Sequence, residues 1–343
     1  MYSEQDLNEA VQAGAISAQN AAALREFVAA RRQMPAVDEE YVRLLSGFND
    51  IFVSIAIALV GIATFVLAGD AWSRGLAMAA EAWVMAEYFT RRRRMALPSI
   101  LLLLLYAQGV ALLLMHVIGV YVADHLLAFL PYGRVGTKSG LYLTTGFTAG
   151  IEALAIYAHW WRFKVPITVA AGCGALVGLV VFLALGFAPG LLPYWPWLMI
   201  AGGLAVFAVA LWWDMSDRAR LTRRADVAFW LHLLAAPMLV HPAFYLLGLL
   251  QGGGDAAVAV ALYAVLAVVA LLVDRRALLV SALGYVIYAL AHVLRQSGSE
   301  AQSLAVTALI AGCALLLLSA FWHRVRIALL RLLPVALTVK LPA

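Results

Sequence analysis

The chain has 343 residues, of which 65% are hydrophobic and 13% charged, about half the charged fraction of an ordinary soluble domain. A single water-soluble core stops growing near ~250–300 residues and keeps a charged exterior, so this excess of apolar surface has to face lipid. The net charge of +5 does not point to nucleic acid, because the Lys and Arg side chains sit at the ends of apolar runs rather than in patches, where their role is topological.

In chain order, the first predicted element is a cytoplasmic helical hairpin over residues 1–45. Ser3 and Asp6 form a capping-box pattern, Gly14 suits a left-handed helix end, and Ser17 is placed to cap a second helix running to about Arg32. Leu7, Val11, Ile16, Leu24, Phe27 and Val28 give the pair one apolar face. That face asks for a cover: the rest of the chain, a second copy or a protein partner. The opening stretch to Glu40 has neither the basic region nor the apolar region of a cleaved signal, so the run from about Ile51 is expected to act as the uncleaved insertion signal.

Apolar runs follow at about 50–68, 72–89, 98–121, 143–161, 165–187, 195–213, 227–249, 256–273, 277–294 and 303–322. Most approach the ~20 residues that span ~30 Å of hydrocarbon, and they lack the two-residue alternation of a membrane barrel. The expected fold is therefore all-α and polytopic, with about ten transmembrane helices over residues 46–325. The runs 72–89, which carries Arg74, Glu81 and Glu87, and 256–273, which is short, fit least well.

With the N terminus inside, the inner connections hold 20 of the 24 cations, and only Arg74, Arg134, Lys138 and Arg295 fall outside. That alternation supports an even number of spans with both termini cytoplasmic. Residues 122–130 are too short to cross and are expected to lie along the interface, as is the C-terminal segment 326–343 with its spaced cations. Trp72, Tyr132, Tyr194, Trp195 and Trp197 mark one headgroup belt, and Trp160, Trp161, Trp212, Trp213 and Trp322 the other.

Polar groups at membrane depth are the functional candidates, since each ionisable one costs about 2.5–3.5 kcal/mol on insertion scales. Glu81, Gln108 and Glu152 fall near mid-depth on three different spans, where they either hydrogen-bond as glue between helices or line a proton- or cation-binding cavity. His159 and His232 extend that polar track inward, and His241 precedes Pro242, which frees a backbone carbonyl. Gly172-Cys173-Gly174 with Gly178 imitates part of a nucleotide loop, but inside a span it reads as close packing through Gly174 and Gly178. Cys173 and Cys313 stand in apolar runs without metal or disulfide spacing. There is no HExxH motif and no Ser/His pair, so neither catalytic residues nor a metal or cofactor is called for.

Ala13-Gly14-Ala15-Ile16-Ser17, Ser46-Gly47-Phe48-Asn49-Asp50 and the stretch Ala86-Glu87-Tyr88-Phe89-Thr90-Arg91-Arg92-Arg93-Arg94-Met95-Ala96-Leu97-Pro98-Ser99 resemble a bacterial family of predicted multi-pass membrane proteins, classed as a domain of unknown function (number 2157). The likeness covers roughly the first hundred residues and matches the later spans in style alone. It implies a bacterial inner membrane and brings no reaction, ligand or site residue.

Three functional readings follow. The leading one is a transporter or permease-like protein with its site among spans two, three, four and seven, although the carboxyls cluster in the first half and spans six to ten contain none. The second is a non-catalytic scaffold, sensor or assembly factor that holds a partner, or a second copy, through residues 1–45. The third is a membrane enzyme or haem protein, for which His159 and His232 would be the better-placed axial pair; the motifs stand against it.

Overall fold

The computed structural model describes residues 4–32, 48–121, 137–217, 220, 222–249, 256–276, 278–279, 283–284, 287 and 300–332. Among them the chain is helical and contains no strand. It divides into two compact units, Met1–Val42 and Arg43–Ala343.

The first unit is a hairpin of α1 (Glu4–Gln12) and α2 (Ala18–Arg32). Gly14 makes the reversal at φ +71°, a conformation glycine adopts without steric cost. The Ser17 hydroxyl then accepts from the Asn20 amide at 3.1 Å, capping α2. Arg25 donates to the Asn8 side chain at 2.8 Å, and Ala21 is buried between the helices.

The second unit contains α3 (Phe48–Leu67), α4 (Ala71–Ala86, continued by a π-helical turn over Glu87–Arg92), α5 (Ala96–Tyr121), α6 (Thr137–Phe163), α7 (Ile167–Phe187), α8 (Trp195–Ser216), α9 (Arg223–Leu246), α10 (Ala256–Val273) and α11 (Glu300–Arg331). Six stretches are long and apolar enough to cross a bilayer: α3, α5, α7, Pro189–Ser216 around α8, α9, and Ala308–Arg331 of α11. Many large side chains on these helices point outward, among them Leu67 at 84% exposure and Phe52 at 69%, as expected of helices solvated by lipid.

The other expected runs differ in their form. The run 72–89 corresponds to α4 and its π turn, 143–161 lies within the more polar α6, and 256–273 coincides with the short apolar α10. The run 277–294 falls largely outside the described residues, as does 122–130. At the C-terminal end α11 continues unbroken past Trp322, and Arg326 is drawn inside the bundle, its Nε 3.2 Å from the Leu271 carbonyl oxygen. The helix thus continues to Arg331, and residues 333–343 of the expected interfacial segment lie outside the described residues.

The helices pack most closely as consecutive pairs: α4 with α5, α6 with α7, α8 with α9. Further contacts join α3 to α5, α5 to α6, α7 to α9 and α10 to α11. Small residues set the closest approaches. A Cβ added to Gly75 would lie 2.7 Å from the Gly109 carbonyl oxygen, and one on Gly109 would lie 2.6 Å from the Ala79 amide nitrogen. By contrast, added Cβ atoms on Gly174 and Gly178 would meet Leu234 and Ala149 at 3.7 and 3.6 Å, ordinary contact distances. Glycine-mediated backbone contact is therefore tightest at the α4–α5 crossing, with further close contacts at Gly146, Gly186, Gly202 and Gly203, whereas Gly174 and Gly178 leave ordinary spacing.

Candidate functional site

Two polar constellations are built into the helical unit, one in each half of the chain. In the first, a hydrogen bond joins α3 to α4, and the other candidate side chains stand on α5 and α6 with no hydrogen bond to that pair among the described residues. Thr64 lies near the end of α3 and donates its hydroxyl in a short hydrogen bond to Glu81 Oε2 on α4. The other carboxylate oxygen, Glu81 Oε1, is buried and has no hydrogen-bond partner among the described residues. Glu152 is half-buried on α6. Gln108 is exposed on the outward face of α5, beside the equally exposed Leu104, while Gly109 turns towards α4. No hydrogen bond joins Glu81, Gln108 and Glu152 among the described residues.

His159 is buried inside the same four-helix group at 1% exposure. The Trp83, Tyr106 and Phe163 rings surround its imidazole, with centroids 6.1, 5.5 and 4.6 Å away. Nδ1 lies 3.4 Å from the Thr168 hydroxyl, and Nε2 has no partner among the described residues. Its burial follows from helical spacing: Ile156, His159 and Phe163 recur three and four residues apart, and all three are buried on one face of α6.

The second constellation centres on Asp214, which lies just beyond the run expected for span six yet inside α8, at 1% exposure. Its carboxylate binds His232 Nε2 at 2.8 Å and takes a two-pronged contact from the buried Arg275 guanidinium. Arg275 also donates to the Ala225 carbonyl at 3.2 Å. The neighbouring Asp274 receives Arg220 at 3.0 Å and the Trp322 indole N–H at 2.7 Å, with Arg326 3.7 Å away. Arg220 closes the pair by donating to the Asp274 carbonyl at 3.0 Å. Both residues have left-handed backbones, at φ 52° for Arg220 and 58° for Asp274, which non-glycine residues seldom adopt. Two adjacent residues, Asp274 and Arg275, thus tie α8, α9, α10 and α11 together.

His232 therefore meets an aspartate rather than the Glu81 group, and its Nε2 is engaged. His241 is exposed on α9, with the Trp195 ring centroid 6.0 Å from its own. The sequence reading missed Asp214, Asp274, Arg275 and Arg326, having assigned the arginines to topology. The available signal was the Asp274-Arg275-Arg276 triplet, where a carboxylate adjoins two cations at the end of a short span.

Among the described residues, no group of three or more His, Cys, Asp or Glu side chains is placed to hold a metal ion. No family model, curated protein or solved structure matches the chain.

Proposed function

We propose that this protein is a transporter or permease-like membrane protein with a proton- or cation-responsive site centred on Glu81. The observation that carries the reading is the buried oxygen of that carboxyl, which has no partner among the described residues. A glutamate serving only as glue between helices is expected to have both oxygens satisfied, because a buried acceptor left unmade costs about 1–3 kcal/mol. A bound cation supplies the missing partner and a proton removes the carboxylate charge, with Thr64 holding the other oxygen in place. Glu152 and His159 are the further titratable groups of this half of the bundle. The same proposal includes ten crossings with both termini cytoplasmic, supported by the alternation of cations along the sequence, and a bacterial inner membrane, which rests on the proposed resemblance of the first hundred residues alone.

Dicyclohexylcarbodiimide, which labels protonated carboxyls in apolar surroundings, provides the first test when read by peptide mass spectrometry. Labelling of Glu81 that is lost in the Glu81→Gln variant is expected. In proteoliposomes holding a pH-sensitive dye and challenged with a solute panel, at least one solute should move protons, and Glu81→Gln should abolish that movement. An unlabelled Glu81 together with no flux for any solute would sink the proposal.

The second reading, a scaffold or assembly factor, is favoured by the separate compactness of residues Met1–Val42. It predicts that removing them abolishes partner co-purification or self-association without altering flux.

A further inference from the structure

At one end of the helical unit, two chain reversals meet. The α4–α5 reversal carries Arg91, Arg92, Arg93 and Arg94, all exposed, and the α6–α7 reversal carries the exposed Arg162 and Lys164. Glu87 joins them: its carboxylate takes two bonds from Arg162, at 2.6 and 2.9 Å, and one from Arg91 at 3.2 Å. Glu87 therefore ties together two reversals that carry six exposed cations between them, and two of these, Arg91 and Arg162, occupy its carboxylate. Arg92 and Arg94 make no hydrogen bond or ion pair with any described residue.

The local backbone holds the cations in position. The π turn is closed by hydrogen bonds from the Arg93 and Met95 backbone amides to the Tyr88 and Phe89 carbonyl oxygens, at 3.0 and 3.1 Å. Arg94 and Lys164 both end their helices with left-handed backbones, at φ 54° and 55°. Glycine would adopt that conformation with less strain, yet each position carries a charge. Aromatic side chains stand at the same level. Arg93 lies over the Tyr88 ring at 5.5 Å, Lys164 lies over Trp160 at 5.3 Å, and Trp161 is 71% exposed. Exposed Tyr and Trp beside cations at the ends of apolar helices belong to the headgroup layer, where basic pockets between helices bind anionic lipid headgroups.

We propose that Arg91–Arg94, Arg162 and Lys164, brought together by Glu87, form a binding site for the phosphate of an anionic phospholipid. Arg92 and Arg94 supply the free donors, and Arg162, fixed by Glu87, sets the spacing between the two reversals. The inference does not depend on the transport reading, since a scaffold would carry the site equally well.

The test uses the full-length protein in detergent, with lipid binding read by native mass spectrometry and confirmed by thermal shift. Phosphatidylglycerol is expected to bind roughly tenfold or more tightly than phosphatidylcholine. R92S/R94S should remove most of that preference, because two unpartnered surface cations are lost, whereas R223S/R224S, which removes two exposed cations elsewhere, should keep it. Equal binding of the two lipids by the wild type would overturn the site without recourse to any variant. Equal losses in both double variants would reduce it to diffuse surface charge. Millimolar inorganic phosphate that displaces the lipid completely would show a free-anion site in its place.

Discussion

The Asp214 carboxylate, at 1% exposure, is opposed by both His232 and Arg275. Burying such a group is costly, and removing one partner leaves the other charge stranded, typically at about 3–5 kcal/mol. Asp214→Ala is therefore expected to lower the thermal unfolding midpoint in detergent markedly. Asp217→Ala, which removes the acceptor for the Thr222 amide and hydroxyl on a more exposed side chain, should cost less. A smaller effect at Asp214 than at Asp217 would show that the buried cluster does not hold the helices. Hydropathy gives a carboxylate at a span end an exposed setting by default; burial here depends on an arginine 61 positions away in the chain. Outside the spans, Asp70 shows the ordinary case: it is fully exposed, and the Ser73 hydroxyl bonds to its carboxylate and holds its pKa below the usual range.

Among the elements, the α4–α5 pair shows how a helix rich in small residues is used. Gly75 and Gly109 face each other, and the backbones approach too closely for side chains between them. Gly109→Ala should push the helices apart at a cost of about 1–3 kcal/mol, whereas Gly174→Ala, where space exists, should stay within about 1 kcal/mol. Thermal unfolding of the two variants in one detergent checks the ordering, and equal effects would refute the packing argument. The helices themselves were legible from apolar length, the α2 cap from Ser17 and the hairpin reversal from Gly14. Which glycines make close contacts was not, because a small residue permits an approach without specifying which neighbour comes near.

For the whole molecule, the division at Val42 predicts that a chain lacking residues 1–42 keeps its thermal midpoint within about 2–4 °C. A larger drop would show that the hairpin contributes to the stability of the helical unit. Composition by itself determined that lipid solvates most of this protein and that helices form it, because a backbone in hydrocarbon has to satisfy its own hydrogen bonds. It also singled out Glu81, Gln108, Glu152 and His159 as candidates, since depth along an expected span can be counted in residues. Only the tertiary structure decided their surroundings: Thr64 beside Glu81, an aromatic enclosure around His159, an outward Gln108, and Asp214 with Arg275 inside the second half. Such pairings depend on helix rotation and long-range contacts, whereas the number and spacing of apolar residues fix only where each helix runs.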